Sequence, residues 1–349
     1  MHPLDAIRRL PLAHLPTPLE PAPRLGAALG LPQLWVKRDD CTGLAMGGNK
    51  ARKLEYLVAD AVAQGATVLI TTGGVQSNHA RMTAAAACRL GMRALLFLSD
   101  DPPPEPQGNL VLDRLFGAEV RFLPDARLSE VDTAMAEAAR DLAALGEIPY
   151  IIPVGGSTSR GCLGYARAVR ELAEQVDGAQ IQPAAMVAAV GSCGTLAGLM
   201  LGGRCFLPHC QVVGISVSPP AARARTQAAR IATDAASLLG VAESFGPEDC
   251  LLFDDWLGPG YGIPTPASLA AIAAAARTEG LILDPVYTGK ALAGVRGLAE
   301  RGVLSPDASV VFWHTGGAPA LFAFADLMRE EAMRTTEDAR QAQTRKCKT

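Results

Sequence analysis

The first chemistry this chain offers is an amine behind two glycines: in Gly47-Gly48-Asn49-Lys50-Ala51-Arg52-Lys53-Leu54-Glu55, one lysine stands at the mouth of a helical pattern. Glycines turn the backbone tightly and let a bulky ligand approach. A lysine placed there can lose enough hydration to act as an amine nucleophile toward a carbonyl. A second loop, Gly191-Ser192-Cys193-Gly194-Thr195-Leu196-Ala197-Gly198, follows the apolar run 186–190 and opens a small-residue helix. Successive N–H groups, the hydroxyls of Ser192 and Thr195, and the positive end of a helix make such a loop a cradle for an anion. It lacks both the Walker lysine and the G-x-G-x-x-G spacing, so it suits one phosphate monoester better than a nucleoside triphosphate or a dinucleotide. The plain alternatives are a lysine that merely begins a charged helix and a glycine-rich helix start built for close packing.

Three further segments put polar groups where a strand meets a helix. Gly73-Gly74-Val75-Gln76-Ser77-Asn78-His79-Ala80-Arg81 suits a carboxylate or a ring hydroxyl. It could equally be an N-cap by Ser77 or Asn78, with His79 and Arg81 facing solvent. Asp284-Pro285-Val286-Tyr287-Thr288-Gly289-Lys290 and His314-Thr315-Gly316-Gly317-Ala318-Pro319 each bring a hydroxyl to a cleft edge. Their simple alternatives are a core tyrosine bonded to backbone and another N-cap.

The elements that must hold these loops read as α/β. Apolar runs at 34–37, 67–71, 94–98, 120–123, 150–152, 186–190, 211–215, 281–283 and 309–313 predict strands. Nearly all are continuous rather than alternating, as strands covered on both faces require. Helical patterns run between them at 51–63, 79–90, 129–145, 161–175, 268–278 and 290–301. Glycine pairs at 73–74, 155–156 and 316–317, with Gly191 and Gly194, mark four strand-to-helix crossings. In an open parallel sheet, ligands bind outside the carboxyl ends of the strands, so the four crossings predict one shared cleft. Pro102, Pro103, Pro104 and Pro106 mark a surface loop. From about Arg329 the tail is charged and without an apolar stripe, which predicts a frayed or disordered end.

With 349 residues the chain can bury a large core in two domains or one large unit. The 32 Lys+Arg against 35 Asp+Glu leave a formal net charge of -3, which gives no field for nucleic acid or an anionic membrane. No apolar run reaches the ~20 residues of a membrane span, and no signal-peptide core follows the N-terminus. The eight cysteines are scattered without zinc spacing. A soluble cytoplasmic protein with a small-molecule partner, no nucleic acid, no membrane and no metal is the expectation.

An amine-bearing lysine and a monoester-phosphate cradle in one α/β cleft are what pyridoxal 5'-phosphate requires. From about Leu15 to Phe324 the sequence resembles the fold-type II, tryptophan-synthase-β-like pyridoxal phosphate enzymes. Its branch is that of D-cysteine desulfhydrase, L-cysteate sulfo-lyase and 1-aminocyclopropane-1-carboxylate (ACC) deaminase. The matching segments are Lys37-Arg38-Asp39-Asp40, 47–55, Gln76-Ser77-Asn78-His79, 284–291 and 314–319. The resemblance implies two open twisted parallel-sheet domains, 1–49 with 163–349 and a smaller inserted 50–162, with the cofactor in the interdomain cleft and a homodimeric assembly. It implies Lys50 as the lysine that takes the cofactor's aldehyde and Asn78 at the ring hydroxyl. Ser192, Cys193, Gly194, Thr195 and Leu196 would hold the phosphate, with Thr315 also at the cofactor. Ser77, Asn78, His79 and Thr288 would meet the substrate, Ser77 binding its carboxylate or moving a proton. Tyr261 and Tyr287 would line the leaving-group side. Lys50, Ser77, Tyr261 and Tyr287 are thus the catalytic candidates. Cys193 stands where the family commonly has Gly or Ala, a change that backbone N–H binding tolerates.

ACC deaminases typically have glutamate after the pocket tyrosine and leucine before the last glycine pair, where this chain has Thr288 and Thr315. Both differences argue against ring opening and for β-elimination, which demands less delocalisation into the ring. Lys50 or Ser77 would remove the Cα proton. The expected reaction is D-cysteine to pyruvate, ammonia and sulfide, with L-cysteate to sulfite and then ACC deamination as alternatives. Cys41-Thr42-Gly43 leans toward the cysteate enzymes and the two threonines toward the desulfhydrases. A sulfonate would also want a cation, for which Arg81 or another arginine is the candidate. Outside catalysis, the alternatives are a pyridoxal phosphate carrier or sensor and a nucleotide-binding protein.

Overall fold

The computed structural model describes residues 2–332; Cys347 and the tail expectation beyond residue 332 lie outside the described residues. In chain order the elements are β1 (Leu19–Pro21), α1 (Pro23–Leu29), β2 (Leu34–Arg38), α2 (Lys50–Ala63), β3 (Val68–Gly73), α3 (Asn78–Arg89), β4 (Arg93–Leu98), α4 (Asn109–Leu115), β5 (Glu119–Phe122), α5 (Leu128–Ala144) and β6 (Pro149–Ile151). They continue with α6 (Ser159–Gly178), β7 (Pro183–Val190), α7 (Gly194–Phe206), β8 (Gln211–Ser216), α8 (Ala221–Leu239), β9 (Leu251–Phe253), α9 (Pro266–Glu279), α10 (Thr288–Glu300), β10 (Ser309–His314) and α11 (Ala318–Phe322).

Two sheets result. The larger has the order β1-β2-β10-β7-β8-β9, parallel except for the antiparallel edge strand β1. The smaller, β5-β4-β3-β6, is wholly parallel. Strands covered on both faces need apolar residues at every position, and β7 shows it: Met186, Ala188 and Val190 pack toward α6, α7 and α8, while Val187 and Ala189 pack toward α1, α9 and α10. The small sheet is likewise sandwiched, with Leu54, Ala84 and Leu110 on one face and Val131, Met135 and Leu142 of α5 on the other. No described helix is long and apolar enough to cross a membrane.

The predicted strand at 281–283 is a correction. Leu281 and Leu283 are buried and Ile282 is exposed, yet the segment pairs with no strand. Its polar groups go elsewhere: Leu281 N–H donates to Ala275 O at the end of α9, and Asp284 N–H to Thr288 Oγ1. Both edges of the neighbouring β10 are already taken by β2 and β7. The two strands with no counterpart among the predicted ones, β1 and β9, are three-residue edge strands, too short for a pattern.

Beneath the first turn of α2 lies a buried ionic network. Arg52 donates to both Asp39 oxygens (2.9 and 2.8 Å) and both Glu171 oxygens (3.0 and 2.9 Å). Lys37 also pairs with Glu171, and Thr17 donates its N–H to Glu171 and its hydroxyl to Asp39. The network ties the N-terminal segment, β2 and α6 to the helix that begins at Lys50.

Candidate active site

The glycine-marked crossings do converge. Gly73, Gly74, Gly155, Gly191 and Gly316 all line one cavity of about 1000 Å³ at the carboxyl ends of both sheets. Lys50, Ser77, Asn78, His79, Ser192, Cys193, Thr195, Leu196, Tyr261, Tyr287 and Thr315 line it as well.

Lys50 is presented by a strained turn. Ala45, Met46, Gly47 and Gly48 all have positive φ (47°, 67°, 74° and 131°), a region that costs a residue with a Cβ of order 1–3 kcal/mol. The turn is held by Thr42, whose hydroxyl accepts from Gly48 N–H at 2.7 Å and donates to Gly48 O at 2.9 Å. At φ 131° Gly48 holds a conformation that L side chains rarely adopt, and a Cβ there would also stand a tight 3.3 Å from the Thr315 carbonyl at the end of β10, so the position favours glycine. The Lys50 amine lies 3.2 Å from Asn49 Oδ1 and 6.0 Å from the centre of the Tyr287 ring. Burial, then the charge of Arg81, brings its pKa from 10.5 down to about 8, with Asp284 opposing. Such an amine is partly unprotonated near neutrality, as a nucleophile requires.

At the phosphate loop, Cys193 takes a left-handed conformation (φ 67°) as N-cap of α7 and directs its thiol to Gly191 O at 3.7 Å. Burial raises the thiol pKa to about 11, so it stays protonated and inert. Asn49 Nδ2 donates to Thr195 Oγ1 (3.0 Å), joining the lysine and phosphate loops. Gly194 does not line the cavity: its N–H donates to Ser157 Oγ (3.1 Å), and a Cβ there would stand 2.6 Å from that oxygen. Ser157 in turn donates to Ser192 Oγ (2.8 Å).

Ser77 serves as N-cap of α3, its Oγ accepting from Ala80 N–H (3.1 Å), and still lines the cavity with its own proton unassigned. The capping and ligand readings are therefore compatible. Asn78 Oδ1 accepts from Arg81 (3.2 Å) and Asn109 Nδ2 (3.1 Å), which leaves its amide protons as donors. His79 and Arg81 do not face solvent; they are 3% and 0% exposed. His79 bonds Thr71 Oγ1 (2.9 Å), and burial holds its pKa well down, so it contributes shape and no charge. Arg81 also reaches Gly47 O (2.8 Å), and it does not line the cavity.

Tyr261 and Tyr287 meet hydroxyl to hydroxyl at 2.6 Å with edge-on rings. Burial, the first cause for each, raises both pKa values, so both hydroxyls stay protonated near neutrality. Thr288 is a second correction. It is fully buried away from the cavity, its Oγ1 donating to Asp284 Oδ1 (2.7 Å) and accepting from Asp284 N–H (2.8 Å). A threonine at the start of a helix satisfies local backbone first, so standing next to the pocket tyrosine does not bring it to the substrate.

Sequence reasoning passed over Lys53. One helical turn after Lys50, its ammonium is buried and has Gly155 O (3.1 Å) as its hydrogen-bond partner among the described residues. It would lie 2.9 Å from a Cβ on Gly194, at the phosphate loop. Burial, then Lys50, depresses its pKa well below 10.5. A buried amine with so few acceptors, beside a helix N-terminus, gains its charge most readily when an anion lies next to it. The donor set thus fits pyridoxal phosphate: a desolvated amine for the aldehyde, Asn78 for the ring hydroxyl, and Lys53 with the 191–196 loop for the phosphate. We expect Lys53→Met to weaken pyridoxal phosphate binding by roughly 10–100-fold, the worth of one charge-assisted hydrogen bond. Equilibrium titration of the cofactor checks this, and an unchanged affinity would show that Lys53 serves packing alone. Among the described residues no group of three or more potential metal ligands is present.

Known proteins resemble this chain over most of its length. Residues 10–316 match the family model of pyridoxal-phosphate dependent enzymes. A D-cysteine desulfhydrase of Yersinia enterocolitica is 43% identical over 328 residues, covering 93% of this chain and 98% of that one. A D-cysteine desulfhydrase of Salmonella newport is 41% identical over 330 residues with the same coverage. The crystal structure of an ACC deaminase homologue superposes with a TM-score of 0.87 at 39% identity, covering 94% of this chain and 98% of the other.

Proposed function

The chain belongs to the pyridoxal-phosphate dependent enzymes of fold type II, and on that premise we propose that it is a carbon–sulfur lyase converting D-cysteine and water to pyruvate, ammonia and hydrogen sulfide. The observation that carries the reading is the Tyr261–Tyr287 hydroxyl pair, 2.6 Å apart, with the Lys50 amine 6.0 Å from the centre of the Tyr287 ring. Bound pyridoxal phosphate supplies the electron sink that makes an attached amino acid's Cα–H acidic. Lys50, with its lowered proton affinity, takes that proton. Ser77 and the N-terminus of α3 bind the substrate carboxylate. The tyrosine pair donates a proton to the departing sulfur, and His79 excludes water without adding charge.

The arginines at and near the cavity weigh against a sulfonate: Arg230, which lines it from α8, pairs with Asp234 at 3.4 Å, and Arg81 lies outside the lining. Arg81 is committed to Gly47, Asn78 and Asn109. Arg223 also lines the cavity from α8, and its charge is felt at the Cys193 thiol of the phosphate loop. Ring opening of ACC is disfavoured too, since Thr288 stands where ACC deaminases typically have glutamate and is locked to Asp284. The seven described cysteines are all free, which fits a reducing cytoplasm, and the family resemblance supports a homodimer and an inserted domain at 50–162.

The test is 2-oxo acid release by purified enzyme, whose dimeric mass is checked by sedimentation, with D-cysteine, L-cysteine, L-cysteate, β-chloro-D-alanine and ACC in parallel. D-Cysteine and β-chloro-D-alanine are expected to turn over best. Preference for L-cysteate or ACC would overturn the assignment, and cofactor binding without any turnover would favour a carrier.

A further inference from the structure

Tyr261 sits on the connection between β9 and α9, in the run Leu257-Gly258-Pro259-Gly260-Tyr261-Gly262-Ile263. This loop reaches across the mouth of the cavity. Tyr261 meets Tyr287 of the large-sheet side, and its ring lies 3.6 Å from where a Cβ on Gly74 of the Ser77 turn would stand. Three glycines give the loop little side-chain packing, and Tyr261 and Ile263 are 44% and 47% exposed. Left to itself, such a loop would open readily.

Its ties to the rest of the molecule are few. Within the loop, Ile263 N–H donates to Gly260 O at 3.5 Å; at its base, Leu257 N–H donates to Asp254 O at 3.1 Å. Beyond the tyrosine contact, the hydrogen bonds that anchor residues 257–263 among the described residues come from one side chain. Lys290 Nζ donates to Leu257 O at 2.7 Å and to Gly260 O at 2.9 Å. Lys290 is 0% exposed, on the first turn of α10, three residues after Tyr287. A lysine normally carries its charge to water; this one turns it on two carbonyls, one of them on the residue just before Tyr261. A compact ammonium with three donors can serve two carbonyls at once.

We propose that Lys290 is a positioning residue: it latches the 257–263 loop over the cavity and fixes the Tyr261 hydroxyl against Tyr287. The same helix terminus sets both tyrosines. Asp284 accepts the N–H groups of Val286, Tyr287 and Thr288 at 2.9, 2.9 and 2.8 Å, which places Tyr287. Lys290, in the next turn, places Tyr261. Lys290 touches no reacting atom itself; it sets the distance between two hydroxyls that do.

This inference rests on the reading of Tyr261 as a leaving-group residue, so the test includes a measurement independent of turnover. Hydrogen exchange of full-length holoenzyme is compared between wild type, Lys290→Met and Lys290→Gln. In Lys290→Met, exchange over residues 257–263 should rise about tenfold or more while both sheets keep their protection. In Lys290→Gln, whose amide retains a donor, the rise should be smaller. With D-cysteine as substrate, Lys290→Met should lower kcat about tenfold with KM changed less than threefold. Added to Tyr261→Phe it should lower kcat no further, because the two act through one hydroxyl. Unchanged loop exchange overturns the latch. A uniform rise across the whole molecule, or kinetic effects that multiply with Tyr261→Phe, makes Lys290 merely structural and overturns it as well. Should wild type fail to turn over D-cysteine, the substrate reading falls while the exchange result still decides the latch; should Lys290→Met not fold, Lys290→Gln carries both measurements.

Discussion

Lys50→Met should abolish β-elimination and, at pH 7, raise the melting temperature of the cofactor-free protein. The two outcomes have one cause. The amine is held in a cavity wall where burial and the charge of Arg81 lower its pKa from 10.5 to about 8. That depression corresponds to about 3 kcal/mol by which the fold disfavours the ammonium. Below pH 8 both the folded and the unfolded chain hold this proton, and the fold carries the whole cost. Between pH 8 and 10.5 the folded state releases it first, so stability of the wild type rises with pH across that window. Methionine has no charge to desolvate. Its advantage is therefore full below pH 8 and gone above pH 10.5, which melting curves of the cofactor-free proteins from pH 6 to 10.5 would trace. Activity moves the other way. If Lys50 has the two roles proposed for it, attaching the cofactor and taking the Cα proton, its loss should lower kcat/KM for D-cysteine by about 10⁴-fold or more. Retained turnover would remove Lys50 from the chemistry, and an unchanged melting temperature would show that water reaches the amine freely.

The lysine and its cradle were legible because their signals are local. Glycines that end apolar runs mark strand-to-helix crossings wherever they occur, and in a parallel sheet such crossings share one edge. Helical periodicity placed α2, α3, α5, α6, α9 and α10 to within three residues at each end, because an amphipathic stripe is also a local property. What the sequence hid depends on distant partners. Lys53 is printed three residues after Lys50, but its burial follows from Gly155, 102 residues away. Ser157, which takes the Gly194 N–H, arrives on the turn before α6 and has no motif of its own. The run at 281–283 reads as a strand because apolar composition says nothing about whether a free sheet edge lies beside it. The family resemblance implies Thr288 at the substrate, yet the first turn of a helix needs its polar groups for capping, and Asp284 claims this one.

The buried network under α2 predicts the largest stability effect. Glu171→Gln keeps volume but removes the carboxylate that faces two cations, and leaves Asp39 to serve Arg52 alone. Breaking one partner out of a buried ionic cluster costs about 3–5 kcal/mol, because the remaining charges stay desolvated. At about 2–4 °C per kcal/mol, the melting temperature should fall by roughly 10 °C. Burial alone would raise the pKa of Glu171, but hydrogen bonds and charge from Arg52, then Lys37, bring it down to about 2. A depressed carboxylate contributes its stability above the unfolded value of about 4.5 and loses it as pH falls toward 2. Wild type should therefore lose stability steeply over that acid range, and Glu171→Gln should show a shallower acid limb from a lower plateau. Function should feel the change as well. Arg52 lies two residues beyond Lys50 on the same helix, so loosening its anchor shifts the amine relative to Tyr287 and the phosphate loop, and pyridoxal phosphate affinity should fall along with stability. Identical melting curves in wild type and Glu171→Gln between pH 3 and 7 would mean that the network places α2 without stabilising it.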